Sequence, residues 1–251
     1  WDVQRSPQSD AAARAGAEVT IGGQAPRLDG LRTIFVAVTD RALPDASATL
    51  GKILERQALP AGVVVLHSSG ALSSSVLRAT LPAQIGVGSA HPVYPFTGAQ
   101  VPEPTGLPLA IEGDAAGIER AEALARLLGM RGFRVAARGK TLYHAGLALL
   151  SNGAVGLFAS AERMVLEAGV EGAEARRLLR ELFEATGRNL AARPALEALT
   201  GPIKRGDEAV AEAHLAAVAA ALPEEASFMA AVQERQRALC RSSKEARAGE
   251  P

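Results

Sequence analysis

Short, continuous apolar runs rich in β-branched residues punctuate the first half of the chain, TIFVAV at 33–38 and GVVVLHS at 62–68 being the clearest. Such runs, bounded by turn residues and lacking polar alternation, predict strands buried on both faces. IGVGSAH (85–91) and LPLAIEG (107–113) predict two more, and FRVAA (133–137) is a weaker candidate. WDVQ at 1–4 reads as a short extended piece before a polar turn at Pro7. Between the strands, 42–58, 73–81 and 114–129 carry Leu, Ile and Ala at helical spacing, with Asp114 placed as an N-cap and Gly129 as a stop. From Gly139 the strand signal ends, and Ala/Leu/Glu/Arg-rich helices are predicted over 140–169, 172–193, 206–222 and 224–246. Strand–helix alternation followed by helices alone predicts an α/β, doubly wound, mostly parallel sheet over 1–138 and an all-α domain over 139–251.

Composition narrows the functions this pattern can serve. Lys plus Arg equals Asp plus Glu at 27 each, so no net field recruits nucleic acid or a membrane surface. The single Cys240 excludes an internal disulfide framework and a cysteine-based zinc site. The four histidines, at 67, 91, 144 and 214, lack the spacing and carboxylate partners of a metal site, so no metal is expected. No uninterrupted apolar run reaches the roughly 18 residues of a membrane span, and a cytoplasmic protein is expected.

In open α/β sheets ligands bind beyond the carboxyl ends of the strands. Three segments end predicted strands with small or polar residues: VAVTDRALP (36–44), LHSSGALS (66–73) and GSAHPVYPF (88–96). Each alone reads equally as a βα turn with Ser capping the next helix. Three in succession on one edge point to a nucleotide site, with Val38, Thr39, Asp40, Ser68, Ser69 and Gly70 as candidate cofactor contacts. His91, before Pro92 at a strand end, is a candidate substrate contact or a holder of the Pro-rich loop. His67, inside an apolar strand, reads as a satisfied core histidine.

The segments VVVLHSSGALSSSVL…GVGSAHPVYPF, KTLYHAGLALLSN and ALTGPIKRGD, in that order, resemble a bacterial family of NADP-dependent oxidoreductases. That family pairs a Rossmann-like domain with a C-terminal helical domain of unknown function. Its architecture is similar to ketopantoate reductase, pyrroline-5-carboxylate reductase and the 6-phosphogluconate dehydrogenase-like superfamily. The resemblance implies NADP, with NAD possible, a small carbonyl, imine or hydroxy-acid substrate in an interdomain cleft, and a homodimer through the helical domain. A non-catalytic NADP-binding or sensing protein of the same fold is the alternative.

Relatives of this kind begin with a strand, a GxGxxG-type turn and a helix, whose free N–H groups and dipole hold a pyrophosphate. No GxGxxG occurs here, and IGGQAP (21–26) has the wrong spacing. Either a first βα unit of about 20–30 residues precedes the sequence or the phosphate cradle has been lost. The apolar strands left unpaired without that unit favour the first. WDVQ is then the second strand, and the residues closing it meet the adenosine ribose. Arg5 and Ser6 suit a 2′-phosphate, and Asp2 keeps NAD open.

Lys140 and His144, four apart, share one face of the first long predicted helix. Ser151 falls within about 20–40° of that face and Asn152 lies round the side. In relatives such as ketopantoate reductase a Lys on this helix is catalytic with an Asn four residues later. Lys140 matches that Lys, and His144 stands in the Asn position. A cation or proton donor is what hydride delivery to a carbonyl or imine requires, which gives Lys140 that role with His144 assisting. Ser151, Asn152, and Thr200 and Arg205 of TGPIKRGD are candidate substrate contacts, the last two equally explained by a tight helix connection. Gly146, Gly153 and Gly156 suggest close approach of another backbone or of a cofactor to this helix.

Overall fold

The computed structural model describes residues 31–56, 61–97 and 102–248. The extended piece at 1–4, and with it Arg5 and Ser6, lies outside the described residues. Five strands form one sheet in the order β1 (Thr33–Val36), β2 (Val64–His67), β3 (Gly86–Pro92), β4 (Pro108–Gly113) and β5 (Arg131–Arg134). β1, β2 and β3 run parallel, in a register that sets Val36 beside His67 and His67 beside Ser89. β4 returns antiparallel to β3, with Ser89 opposite Glu112 and His91 opposite Ala110, and β5 runs parallel to β4. The reversal has a local cause. A parallel neighbour needs a crossover element, and the β3–β4 connection carries Pro95, Pro102 and Pro104 with no helix among its described residues.

The side-chain period of two divides the sheet into two faces. Val65 and Val87 pack with Leu43 and Leu54 of α1 (Leu43–Leu54), with Leu77 of α2 (Ser75–Arg78) and with Leu81 beyond it. Val64, Leu66, Ala90, Leu109 and Ile111 pack on the opposite face with Ala121 and Ala125 of α3 (Ala115–Leu127). α3 sits directly on β3: a Cβ added at Gly117 would lie 2.1 Å from the Val87 carbonyl oxygen. Asp114 caps α3 as expected, its Oδ1 accepting from the Gly117 N–H at 2.8 Å. Its Oδ2 ties the cap to the sheet through the Val87 N–H at 3.0 Å. Gly129 closes the helix at a φ of +65°, a left-handed conformation that glycine adopts without strain.

Beyond a short 3-10 turn the chain is helical: α4 (Lys140–Glu167), α5 (Gly172–Ala192), α6 (Ala195–Ala198), α7 (Pro202–Arg205), α8 (Glu208–Ala221) and α9 (Ala226–Ala248). Two compact units meet within α4, one ending at Leu149 and the other beginning at Leu150. In the second unit Glu171 caps α5 by accepting from the Ala173 and Glu174 N–H groups. Arg163 of α4 pairs with Glu224 and Glu225, and buried Gln233 donates to the Ala211 carbonyl at 2.8 Å. A Rossmann-like α/β sheet followed by an all-α region is therefore the architecture.

α4 carries an exposed apolar flank. Polar residues interrupt every apolar run, yet Ala137–Glu167 averages a mean hydropathy of 1.3 in its most apolar 18-residue window, enough by length and composition to cross a bilayer. Leu142 and Leu149 are 80% and 76% exposed, and Leu150 and Val155 are exposed too. A Cβ at Gly146 or Gly156 would meet nothing within 4 Å, so these two glycines mark no close approach among the described residues.

Candidate active site

The alternation that buries Val65 and Val87 puts His67, Ser89, His91 and Glu112 on the same sheet face, nearer the carboxyl ends of β1–β3. Lys140, the first residue of α4, covers this polar patch and is only 1% exposed. Its Nζ donates to the Ser69 carbonyl at 2.8 Å and to Ser89 Oγ at 2.7 Å. Burial pulls its pKa from 10.5 down to about 8, while the charges of Glu112 and Asp40 oppose that fall. An ammonium has three N–H donors, and two are used.

Glu112 lies buried beside it. Its Oε2 accepts from the Ser74 N–H at 2.8 Å, and its Oε1 from Ser74 Oγ at 2.7 Å. Ser89 Oγ completes the set with a longer bond of 3.4 Å to Oε2. Ser69 is spent internally: its N–H donates to His67 Nδ1 at 3.1 Å, its Oγ accepts from the Leu72 N–H at 2.9 Å, and its carbonyl takes Lys140. With Nδ1 accepting, the neutral ring of His67 carries its proton on Nε2. That buried Nε2 has no hydrogen-bond partner among the described residues, so His67 is a core histidine satisfied at one nitrogen only. Burial first, and Lys140 second, lower its pKa to about 4.

The outer side of the cluster is aromatic. His91 Nδ1 shares a 3.1 Å hydrogen bond with the Tyr143 hydroxyl, and the His144 ring stands edge-on to His91 with centroids 5.9 Å apart. All three are half-buried. Both imidazoles close over Gly70, where an added Cβ would lie 2.5 Å from His144 Cδ2 and 2.8 Å from His91 Nε2. Burial, then Lys140, then His144 bring the His91 pKa down to about 4, and burial pushes the Tyr143 hydroxyl up to about 12. His91 and Tyr143 are thus uncharged at neutral pH beside one buried amine.

The structure brings Lys140, His144, His91, Ser69 and Gly70 together. Val38, Thr39 and Asp40 are exposed in the loop after β1, and Ser68 is half-buried after β2. Since β1 and β2 are parallel neighbours, these loops leave the same sheet edge. Ser151 and Asn152 are exposed on α4 past Leu149, Thr200 is exposed before α7, and exposed Arg205 ends α7, all in the second unit. Residue-by-residue reading missed Glu112, Ser74, Ser89 and Tyr143. An acid within the apolar run LPLAIEG was the available signal, because a buried carboxylate must be partnered.

Compared with known proteins, residues 107–235 match the family model of the domain of unknown function DUF2520. No curated protein matches. Among solved structures, protein TM1727 of Thermotoga maritima is similar at a TM-score of 0.70 and 22% identity, over 94% of this chain and 87% of that one. BF3122 of Bacteroides fragilis, described as a candidate NADP oxidoreductase, is similar at 0.69 and 18%, over 94% and 88%. A reductive aminase of Aspergillus terreus, in complex with NADPH and ethyl levulinate, is similar at 0.55 and 17%, over 100% and 87%. At these identities the likeness is one of fold.

Proposed function

The chain belongs to the DUF2520 family, and on that premise we propose that it is an NADP-dependent oxidoreductase acting on a small carbonyl, imine or hydroxy acid. The observation that carries the reading is Lys140, an amine 1% exposed and held by two hydrogen bonds, whose burial brings its pKa down to about 8. Reduction of a C=O or C=N group builds negative charge or basicity on the heteroatom, and a fixed cation with a proton to give answers both needs. An amine with a pKa near neutrality gives up its proton more readily than an exposed lysine. A dry site also strengthens its field at the reacting atom.

The reduced cofactor, NADPH, would supply the hydride when bound. The residues suited to it are Val38, Thr39, Asp40 and Ser68, on two loops that leave one edge of the parallel strands. Ser69 and Gly70 contribute backbone shape, since the N–H and carbonyl of Ser69 are already committed. Arg5 and Ser6 are proposed for the 2′-phosphate. BF3122 and the NADPH-bound reductive aminase support the cofactor class by likeness of fold. Lys140 holds the proton to be given, and the rings of His144 and neutral His91 bound the place where the substrate's heteroatom sits. Ser151, Asn152, Thr200 and Arg205 are proposed substrate contacts. The exposed apolar flank of α4 fits a cytoplasmic homodimer, since a second copy would cover Leu142, Leu149, Leu150 and Val155.

One observation favours the second reading, an NADP-binding sensor without turnover: the Lys140 ammonium is nearly closed off. Fluorescence titration with NADPH and NADH, followed by NADPH consumption across a panel of aldehydes, ketones and imines, decides between them. The enzyme reading expects NADPH to bind more tightly than NADH and at least one substrate to drive consumption. NADPH binding with no consumption across the panel supports the sensor, and no binding of either nucleotide overturns both.

A further inference from the structure

Glu112 is the one carboxylate among the described residues that is buried and hydrogen-bonded into the Lys140 site. It projects from β4 onto the face where Ser89 and His91 stand on β3. An acid there must be ionised and partnered or else neutral, and the partners identify which. Ser74 gives it both its N–H and its hydroxyl, at 2.8 and 2.7 Å. A third donor follows from the bonding of Ser89. Lys140, when charged, can only donate, so Ser89 Oγ must accept at 2.7 Å and turn its own proton towards Glu112 Oε2 at 3.4 Å. The hydroxyl is oriented by a cation on one side and a carboxylate on the other.

We propose that Glu112 is a positioning residue that keeps Lys140 in its protonated form through Ser89, with Ser74 anchoring the carboxylate. The other groups around Lys140 do not replace it. Asp40, in the loop after β1, is an exposed acid, so solvent screens it. His67 of β2 and His91 of β3 are neutral near pH 7, while Tyr143 and His144 on α4 itself offer no negative charge there. The Ser69 carbonyl contributes a dipole only. The catalytic meaning of the device rests on Lys140 being the proton donor of the proposed function, but its existence does not.

The chain has four lysines, at 52, 140, 204 and 244, so protein labelled with ¹³C at lysine Cε gives few NMR signals, and Lys140→Arg assigns the one of interest. A midpoint near pH 8 is expected for Lys140 in the parent. In Glu112→Gln it should fall by about one pH unit, a roughly tenfold loss of protonated lysine above the midpoint. Glu112→Asp should restore much of the parent value, and Asp40→Asn should move it less than Glu112→Gln. If Glu112→Gln fails to fold, Ser89→Ala reads the same link and should also lower the midpoint. An unchanged or raised midpoint in Glu112→Gln, or a larger fall in Asp40→Asn, overturns the proposal. In the Ser89→Ala arm an unchanged midpoint does the same. The titration needs neither cofactor nor substrate, so failure of the oxidoreductase reading would leave its outcome standing.

Discussion

Lys140→Met removes a charge that the folded protein holds against its tendency to stay hydrated, and the cost is legible in pH dependence. The folded state releases this proton near pH 8, whereas the unfolded chain keeps it until near 10.5. Between those values the unfolded state binds more protons, so unfolding free energy rises with pH, by about 1.4 kcal/mol per pH unit at full difference. From pH 7 to pH 9.5 the gain attributable to Lys140 is about 2 kcal/mol. The window must stop there, because burial holds Tyr143 protonated to about pH 12. An unfolded Tyr ionises near 10, so stability falls again above that pH. Met fills similar space but leaves the Ser69 carbonyl and the Ser89 hydroxyl without their donor, at roughly 1–3 kcal/mol for each buried group. Absolute stability at pH 7 therefore confounds two opposing effects, and the slope isolates one. Urea unfolding of parent and variant at pH 7, 8, 9 and 9.5 gives that slope. The parent should gain about 2 kcal/mol more across the series than Lys140→Met. Equal slopes would refute the reading of Lys140 as a buried, destabilised cation.

Other consequences follow from neighbouring contacts. Gly117→Ala forces a methyl group to within 2.1 Å of the Val87 carbonyl oxygen, where backbone cannot yield. α3 must lift off β3 at a cost of about 1–3 kcal/mol or more, read as a lower urea midpoint, and an unchanged midpoint would contradict the close approach. His67 is fully buried with a pKa near 4 against 6.5 unfolded. Its contribution is present above pH 6.5 and is lost as pH falls towards 4, on the order of 3 kcal/mol. His67→Gln should flatten that part of the acid limb in unfolding measurements, and an unaltered limb would count against it.

Much of the architecture was legible because VVLH and VGSA are continuous apolar or small-residue runs buried on both faces, as central parallel strands are. TIFV, expected to be buried likewise, has no buried residue, and its Phe35 is exposed. The turn of direction at β4 was not, since strand polarity depends on what the connection can form, and prolines near 102–104 suppress a crossover helix. β5 was expected at 133–137 and lies at Arg131–Arg134. Arg131 and Arg134 on an exposed strand hide it from any hydrophobic pattern. Within the site, the i,i+4 spacing of Lys140 and His144 was enough to put them together. Ser89 and Glu112 were not found, because their meeting is a register fact of two antiparallel strands far apart in sequence. Lys140 itself was expected at a helix start, and only the structure shows its amine closed off against Ser69 and Ser89.

In the proposed function Lys140 gives a proton to a substrate reduced by NADPH. Its most direct test is NADPH consumption with the best substrate of a carbonyl and imine panel, measured for the parent and for Lys140→Met alongside NADPH affinity. In Lys140→Met turnover should fall by about 10²–10⁴-fold with affinity for NADPH kept. Turnover retained in Lys140→Met, with its fold intact, would contradict it.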